Sequence, residues 1–414
     1  MKNKTLTLIG IASLLITATA LILAARGRQY MLENNNTALR SYRGKQNDVV
    51  VPQGVKEIGD QAFSHRETPE SVALPQGLKK IGRLAFHGCP NLKSIEIPEG
   101  VASIEIMAFA ECPKLESVVL PQSLVKLGSK AFFKCDSLAS VVFPESVDEI
   151  ESETFSECRS LQSIVIPNSV KIIGEKAFSL CGKLRSVEIS DSVEEIGEYA
   201  FFYSGVTSVS LSKNLSVIRR GVFLECPLGT VELPESVKEI EPRAFENCRV
   251  LKKVVFSKNC AKIGENAFNN CNSLEAVVLP NSVEEIGEGA FRGCYQLTSL
   301  VLSKGIKKIE KETFSICQTL TSVDVPENVE TIGDGAFSDC LQLKSVVLSE
   351  GVQEIGKGAF SNCKSLESIV VPKSVTTIGD YAFTNSNSLT IRSPKGSYAE
   401  QYALGANIKF EPIE

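Results

Sequence analysis

The sequence predicts a repeat solenoid, mainly β with short helical turns, built from about fifteen repeats and closed by a C-terminal helix and strand. Three observations lead to this fold class. A strand-ending Pro or Ser returns every 23 residues, and twice after 22, from Pro52 to Pro372. Fifteen of the twenty Phe share one position of the repeat, and twelve of the thirteen Cys share another. A fixed period of this length is typical of one solenoid and not of separate globular domains.

The N-terminal segment, residues 1–28, is predicted to be a signal peptide or a signal anchor. Lys2 and Lys4 precede an uncharged apolar run from Thr5 to Ala25, which as a helix would span about 31 Å. A small-x-small pattern at residues 18–20 favours cleavage, whereas the length of the run favours retention as an anchor. Both alternatives imply export to the cell surface, the periplasm or the medium.

Residues 29–47 are polar and without period, and they are predicted to form a spacer. Residues 1–47 carry seven basic side chains and one acidic one, a net charge of +6. Because the whole chain has a net charge of −5, residues 48–414 have a net charge of −11. An acidic body binds polyanions poorly, so nucleic acids are not expected as partners. Membrane contact is expected only through the N-terminal segment, if it is not cleaved.

Each repeat is numbered from its strand-ending Pro or Ser, and apolar or small residues recur at +3, +6, +10, +11, +14, +17, +20 and +22. The alternation from Leu115 to Leu120 predicts a short strand, and the segment from Val101 to Ile104 predicts a second. The A-F-x-x-C run predicts one helical turn with Ala, Phe and Cys pointing inward. Charged residues replace Gly at +7 in five repeats, which argues against an obligatory positive φ there.

The repeated pattern L-x-x-[IV]-x-[IL]-P-x-x-[VI]-x-x-I-G-x-x-A-F-x-x-C resembles the BspA-type leucine-rich repeat. The resemblance covers residues 48–393 and is specific because the pattern recurs fifteen times. It implies a leucine-rich-repeat solenoid in an exported or surface-attached protein, often an adhesin or a binder of host proteins. It supplies no catalytic residues.

The C-terminal segment, residues 394–414, is predicted to cap the solenoid and is similar to the usual ending of such arrays. Ser397 and Glu400 are spaced as a capping box, so a helix is expected to begin there. Gly405 can end this helix. Residues 408–411 can then add a last strand to the open stack.

Twelve cysteines share position +14, and Cys260 alone takes a +3 position. The twelve are Cys89, Cys112, Cys135, Cys158, Cys181, Cys226, Cys248, Cys271, Cys294, Cys317, Cys340 and Cys363. Stacked strands lie ~4.8 Å apart with parallel Cβ vectors, which suits disulfides poorly. The chain has no C-x-x-C pair and no clustered zinc ligands. We therefore favour a structural column of buried thiols over a disulfide chain or a metal ladder, and we predict no cofactor.

The outward residues of the main strands form the candidate partner-binding surface, with Ser at most +19 positions. At +21, two valine stripes, 119–142–165 and 255–278–301, flank an acidic and polar stretch. The candidate residues are Val119, Val142, Val165, Glu188, Ser210, Glu232, Val255, Val278, Val301 and Asp324. Exposed apolar stripes indicate a contact surface. The alternatives are that valine only supports the strand, or that two solenoids stack there.

Catalytic motifs are lacking: there is no G-x-S-x-G, H-E-x-x-H, Walker A or EF-hand pattern. His65 and His87, the only histidines, fall at non-equivalent positions in turns expected to be exposed. We predict a non-enzymatic protein that binds a protein or glycan outside the cytoplasm, with adhesion to host or matrix proteins as one such role. The first alternative is a structural cell-envelope protein that self-associates, and the least supported is a surface hydrolase. The two 22-residue repeats predict a local change of curvature near residues 200–230.

Overall fold

The computed structural model describes residues 29–414. The predicted signal peptide or anchor, residues 1–28, therefore lies outside the described residues. The chain divides into an N-terminal unit, Met1–Val147, and a C-terminal unit, Asp148–Glu414. Each unit is described by itself. Within residues 29–414, none of the helices has the length and apolar character that a membrane crossing requires.

The N-terminal unit is built from short strands, one of three residues and one of two in each repeat. Its strands are β1 (Tyr30–Glu33), β2 (Ala38–Tyr42), β3 (Asp48–Val50), β4 (Glu57–Ile58), β5 (Ser71–Ala73), β6 (Lys80–Ile81), β7 (Ser94–Glu96), β8 (Ser103–Ile104), β9 (Ser117–Val119), β10 (Lys126–Leu127) and β11 (Ser140–Val142). The three-residue strands come just before the strand-ending Pro or Ser of the next repeat, and the two-residue strands follow it at +5 and +6.

The C-terminal unit repeats this arrangement and adds the only α-helix of the described residues. Its elements are β12 (Glu149–Ile150), β13 (Ser163–Val165), β14 (Ile172–Ile173), β15 (Ser186–Glu188), β16 (Glu195–Ile196), β17 (Ser208–Ser210), β18 (Val217–Ile218), β19 (Thr230–Glu232), β20 (Glu239–Ile240), β21 (Lys253–Val255), β22 (Lys262–Ile263), β23 (Ala276–Val278), β24 (Glu285–Ile286), β25 (Ser299–Val301), β26 (Lys308–Ile309), β27 (Ser322–Asp324), β28 (Thr331–Ile332), β29 (Ser345–Val347), β30 (Glu354–Ile355), β31 (Ser368–Val370), β32 (Thr377–Ile378), β33 (Thr390–Pro394), α1 (Tyr398–Gly405) and β34 (Lys409–Ile413).

Equivalent strands of successive repeats pair in parallel and in register. Ser117, Val118 and Val119 of β9 lie opposite Ser140, Val141 and Val142 of β11, one period later. The two-residue strands pair in the same way, as β8 does with β10. Each position of the repeat therefore forms a column of side chains with a spacing of ~4.8 Å. This architecture confirms the predicted solenoid.

The eight inward positions of the repeat form the core. In the repeat that starts at Pro98, these residues are at most 3% exposed: Val101, Ile104, Ala108, Phe109, Cys112, Leu115, Val118 and Leu120. The Phe rings at +11 stack nearly parallel, with centroids 4.8 to 5.6 Å apart, within each unit. One repeat alone cannot bury this column, so its stability depends on its neighbours.

The A-F-x-x-C segment does not form the predicted helical turn. In all fifteen repeats the residues at +9 and +13 have φ between 51° and 69°, as at Met107 and Glu111, and this left-handed conformation interrupts a right-handed helix. The segment makes a third ladder between repeats instead. Met107, Phe109 and Glu111 each donate a backbone hydrogen bond to the next repeat, at 3.0, 2.8 and 2.7 Å. The glycines at +7 lie outside the left-handed region, as their replacement by charged residues indicates.

The N-terminal end of the solenoid is covered by a hairpin, where the sequence predicts a polar spacer over residues 29–47. β1 pairs antiparallel with β2, and β2 continues the ladder of two-residue strands by pairing with β4. Ala38, Leu39 and Tyr42 are buried. The Tyr42 ring stacks on Phe63, with centroids 5.0 Å apart. The hairpin occurs once, so periodicity could not reveal it.

The C-terminal end carries the predicted helix and strand. The hydroxyl of Ser397 caps α1 by accepting a hydrogen bond from the backbone N–H of Glu400 at 3.3 Å. The carboxylate of Glu400 accepts from the N–H of Gly396 at 2.6 Å, one residue before the position that a capping box uses. The helix ends at Gly405, and β34 then pairs in parallel with β33.

Candidate functional site

The long-strand face, formed by the outward residues at +19 and +21 of the three-residue strands, is exposed in both units. Exposed valines are prominent on it. Val119 and Val142 are 64% and 66% exposed in the N-terminal unit, and Val165 and Val278 are 73% and 60% exposed in the C-terminal unit. The Ser residues at +19 are exposed or half-buried beside them.

Pairing registers show which candidate residues are neighbours. In the N-terminal unit, Val119 lies between Glu96 and Val142. In the C-terminal unit, Val165 lies beside Glu188, which in turn lies beside Ser210. The boundary between the units falls inside the predicted stripe 119–142–165, so Val165 belongs to a different unit from the other two valines.

The predicted stripe 255–278–301 lies in one ladder of the C-terminal unit. Glu232 is opposite Val255, and Val278 is opposite Val301. β21 pairs with β23 through Lys253 and Ala276, so Val255 and Val278 occupy equivalent outward positions of neighbouring strands. Asp324 starts the next sheet, where it lies opposite Val347.

Sequence reasoning missed one residue of the same column. Val50 is 65% exposed on β3, opposite Ala73 of β5. The signal was present in the sequence, because residues 48–52 read Asp-Val-Val-Val-Pro and so repeat the strand and its closing Pro. The column of outward residues therefore starts three repeats before Val119, the first residue of the predicted surface.

The face formed by the two-residue strands differs in its chemistry, because its charges pair with one another. Lys262 lies between Glu239 and Glu285, with N–O distances of 3.8 and 3.4 Å. Lys80 and Glu57 pair in the same way at 3.1 Å in the N-terminal unit. Exposed pairs of this kind contribute only about 0–1 kcal/mol each.

The acids of the long-strand face are not neutralised in this way. Over residues 29–414, no ion pair involves Glu188, Glu232 or Asp324. The long-strand face thus combines exposed valines with carboxylates that can interact with a partner.

The cysteine column is buried, and its thiols have a hydrogen-bonding role. The thiol at +14 donates to the carbonyl oxygen of the Phe in the preceding repeat, at 3.0 to 3.5 Å. Ser386 takes the place of Cys in one repeat and makes the same bond to Phe360 at 3.0 Å. No disulfide forms among the thirteen cysteines, all of which lie in the described chain.

The pKa of Cys89 is lowered, chiefly by a hydrogen bond with Cys112. Burial has the opposite effect on most of the column. It raises the pKa of Cys135, Cys181, Cys226 and Cys294 to about 12, and that of the out-of-column Cys260 to about 11. Because the thiolate is the metal ligand and the nucleophile, such groups are unreactive at neutral pH. Between residues 29 and 414, no cluster of three His, Cys, Asp or Glu side chains is arranged to hold a metal ion.

The two histidines lie closer together than their positions in the repeat suggest. The rings of His65 and His87 are 5.0 Å apart and nearly perpendicular. His65 is exposed as expected, but His87 is half-buried. Positions +13 and +12 meet because the N–H of His65 donates to the carbonyl of His87 at 2.8 Å across the third ladder.

The chain is similar to one family of repeat proteins and to solved structures of leucine-rich repeat proteins. The family model described as "BspA type Leucine rich repeat region (6 copies)" matches residues 41–162, 125–252 and 261–390. A leucine-rich repeat protein from Bacteroides ovatus is 26% identical, with a TM-score of 0.67, and the match covers 93% of this chain and 91% of that one. A leucine-rich cell surface protein from Faecalibacterium prausnitzii is 26% identical, with a TM-score of 0.46, over 82% and 92% of the two chains. No curated protein sequence matches this chain.

Proposed function

Since the chain belongs to the BspA-type leucine-rich repeat family, we propose that it is an exported, non-enzymatic protein that binds a protein partner through its long-strand face. One observation carries the proposal. Val255, Val278 and Val301 stand exposed in neighbouring strands, and each exposed fraction is at least 39%. Folded proteins rarely leave such a contiguous apolar column without a partner.

The column is not needed to form the strand. Glu96, Glu188, Ser210 and Glu232 take the same position in other repeats, and their strands pair with the same register. Strand propensity alone would allow valine at +21, but it does not require it. Contact with a partner accounts for the exposed valines better than support of the strand does.

Charge narrows the chemistry of the partner. Glu232 lies opposite Val255 at one end of the column, and this face carries the further acids Glu188 and Asp324. A partner with apolar side chains at its centre and basic side chains at its rim would match this pattern. Matrix proteins and mucin cores exposed outside the cell are the class that we expect.

Export is part of the proposal and rests on other observations. The basic start and apolar run of residues 1–28 have the layout of an export signal, and family membership is consistent with a surface location. Protease treatment of intact cells is the direct test. Loss of the protein from intact cells supports exposure at the surface, and its full protection until lysis contradicts it.

The binding test changes the column without touching the core. The variant Val278→Lys with Val301→Lys places two charges on exposed positions of β23 and β25. We expect it to fold normally and to lose at least tenfold in affinity for immobilised matrix proteins and mucins that the unmodified chain binds. The matched control is Ile172→Lys, a 37% exposed apolar residue on β14 of the other face.

Two results would contradict the proposal. Equal binding by the double-lysine variant and the unmodified chain would remove the long-strand face from consideration. Sedimentation decides the alternative of self-association. A dimer that the double-lysine variant converts to monomer would mean that a second copy of this chain occupies the face.

A further inference from the structure

The two 22-residue repeats, which start at Ser190 and Ser212, are one residue shorter than the others. The missing residue would lie at the protein surface. A full repeat has two residues between the Cys at +14 and the next inward residue, whereas each short repeat has one. The inward residues of the three successive repeats, Val206, Leu228 and Leu251, are all fully buried. Because the core register is kept, the missing residue is removed from the outer side of the turn.

The loss leaves a notch on the turn side of the C-terminal unit. It is a cavity of about 300 Å³ lined by Tyr203, Glu225, Cys226, Pro227, Asn247, Arg249 and Val250.

Apolar surface is exposed on two sides of the notch. Tyr203 is 55% exposed, and Val250, two repeats further along the chain, is 48% exposed. Tyr203 also belongs to an aromatic group, because its ring lies 6.1 Å from that of Phe202. An exposed Tyr offers a rigid flat surface with a hydroxyl at its tip, which suits a ligand that is apolar on one side and polar at its edge.

The polar groups of the notch have unused hydrogen-bonding capacity. Asn247 accepts a hydrogen bond from Asn270 at 3.2 Å through its Oδ1, which leaves its own NH₂ to donate. No hydrogen bond or ion pair engages the side chains of Glu225 and Arg249 within residues 29–414. At the same positions of another repeat, Arg159 and Glu157 form an ion pair at 2.9 Å.

We propose that this notch binds a neutral hexopyranose unit of a glycan. A pyranose ring has an apolar C–H face that can pack on Tyr203, and its rim of hydroxyl groups can both donate and accept. Glu225 accepts from these hydroxyls, while Arg249 and Asn247 donate to them. One carboxylate and one guanidinium balance in charge, which favours a neutral sugar over an anionic one. The volume is at the lower limit of ligand pockets, so one or two sugar rings fit.

A proline-rich peptide fits less well. Such a peptide also packs on exposed aromatic rings, but its backbone offers mainly carbonyl acceptors. Arg249 and Asn247 could donate to those carbonyls, whereas Glu225 would be left facing acceptors without a donor. An unpaired carboxylate in an occupied site is unfavourable.

The glycan site is independent of the proposed function. It lies on the turn side of the repeats at +13 to +16, whereas the proposed protein-binding residues lie at +21 on the three-residue strands. A variant of Tyr203 therefore tests only the glycan site, and the double-lysine variant tests only the long-strand face. If the glycan proposal fails, the proposed protein-binding role of the long-strand face is unaffected, and the reverse also holds.

The experiment titrates the full chain with neutral trisaccharides, namely maltotriose, cellotriose, mannotriose and triacetylchitotriose, by calorimetry and saturation-transfer NMR. We expect at least one to bind with a Kd of about 1 mM, as suits a shallow site. Tyr203→Asn should weaken this binding at least tenfold while keeping a residue that tolerates the left-handed conformation. Arg249→Gln and Glu225→Gln, both at exposed positions, should each weaken it several-fold without affecting folding.

The matched control is Tyr381→Asn. Tyr381 is 66% exposed and left-handed, but it lies at +9, in a repeat that keeps both residues between +14 and the next inward residue. We expect this variant to bind the sugar as the unmodified chain does. The proposal is overturned if no trisaccharide binds at a sugar concentration of about 20 times the expected Kd. It is also overturned if the Tyr203→Asn variant binds the sugar with unchanged affinity, or if a proline-rich peptide binds the notch and the sugars do not.

Discussion

The thiol of Cys135 donates a hydrogen bond to the carbonyl oxygen of Phe109, 3.1 Å away in the preceding repeat. Both groups are buried, so water cannot replace either partner. The column of cysteines therefore has a second role beside packing: it supplies a donor to a carbonyl that lies inside the solenoid. Ser386 makes the same bond, which shows that a hydroxyl can do so in place of a thiol.

Removing one of these donors should destabilise the protein. We expect Cys135→Ala to lower the free energy of unfolding by about 1–3 kcal/mol, because it leaves the Phe109 carbonyl unsatisfied and removes one buried atom. Cys135→Ser keeps a donor and should lose less. Urea denaturation measures the difference between the two variants. The control is Cys260→Val, which restores the usual residue at +3 and should leave stability unchanged or raised. If the alanine variant proves as stable as the serine variant, the hydrogen bond contributes nothing.

Stability should fall steeply at alkaline pH. Burial raises the pKa of Cys181 and Cys294 from about 9 to about 12, so the unfolded chain releases these protons at a lower pH than the folded one. The stabilisation is complete below pH 9 and is lost as the pH rises towards 12, with a slope of up to about 1.4 kcal/mol per pH unit for each thiol. Urea denaturation between pH 7 and 11 measures this slope. Replacing Cys181 and Cys294 by Ser should reduce the slope by the share of these two thiols, because the other buried thiols remain. An unchanged slope would contradict the raised pKa values of Cys181 and Cys294.

The left-handed positions predict a stabilising substitution. Ile316 occupies position +13 with a φ of 62°, which is strained for a β-branched side chain. We expect Ile316→Asn to raise the free energy of unfolding by about 0.5–1 kcal/mol, because Asn tolerates this conformation. In the same column, Asn362 donates to Asp339 at 2.9 Å, and the introduced amide would be the neighbour of Asp339 on its other side.

The opposite change should be harmful. In Gly293→Val, the new Cβ would meet Oδ1 of Asn270 at 2.5 Å in a left-handed conformation. Thermal melting of both variants checks the pair of predictions. A fall in melting temperature for Ile316→Asn would show that its apolar contacts outweigh the backbone strain.

The N-terminal hairpin should act as a cap. Tyr42 is fully buried against Phe63, the first ring of the Phe column. We expect Tyr42→Ala to expose that end and to speed hydrogen exchange most in the first repeats, at a loss of about 3–5 kcal/mol in local stability. Arg40→Ala, at an exposed position of the same β2 strand, is the control. Exchange rates that do not change near Phe63 would mean that residues 29–47 are only a spacer after all.

Some features of the fold can be predicted from the sequence because they repeat. Burial at Val101, Ile104, Phe109 and Leu115 returns in every repeat, so the inward positions and the short strands stand out from the spacing alone. The outward direction of the candidate surface positions on β13 to β25 follows in the same way, since residues alternate along a strand. Whether they bind a partner is a property of the surface, which spacing does not report.

Other features could not be predicted from the spacing, because they depend on contacts between repeats. The 3–4 spacing of A-F-x-x-C fits a helical turn as well as it fits the turn that forms. Residues such as Leu84 and Met107 give no sign of a left-handed backbone, because their residue types rarely adopt it. Gly, Asn and Asp recur at +9 and +13, as in Gly289 and Asn270, and this was the available signal. The left-handed backbone costs about 1–2 kcal/mol per residue, and the hydrogen bonds of the third ladder offset it.

Periodicity was enough to establish the solenoid and its inward columns, because a burial pattern that repeats fifteen times leaves one consistent interpretation. The hairpin at residues 29–47, the thiol bond to the Phe carbonyl, the meeting of His65 with His87 and the notch beside Tyr203 emerged only from contacts in three dimensions. The hairpin is a segment that occurs only once, and the other three features arise where one repeat contacts the next. The spacing of residues within a repeat reports neither kind of feature.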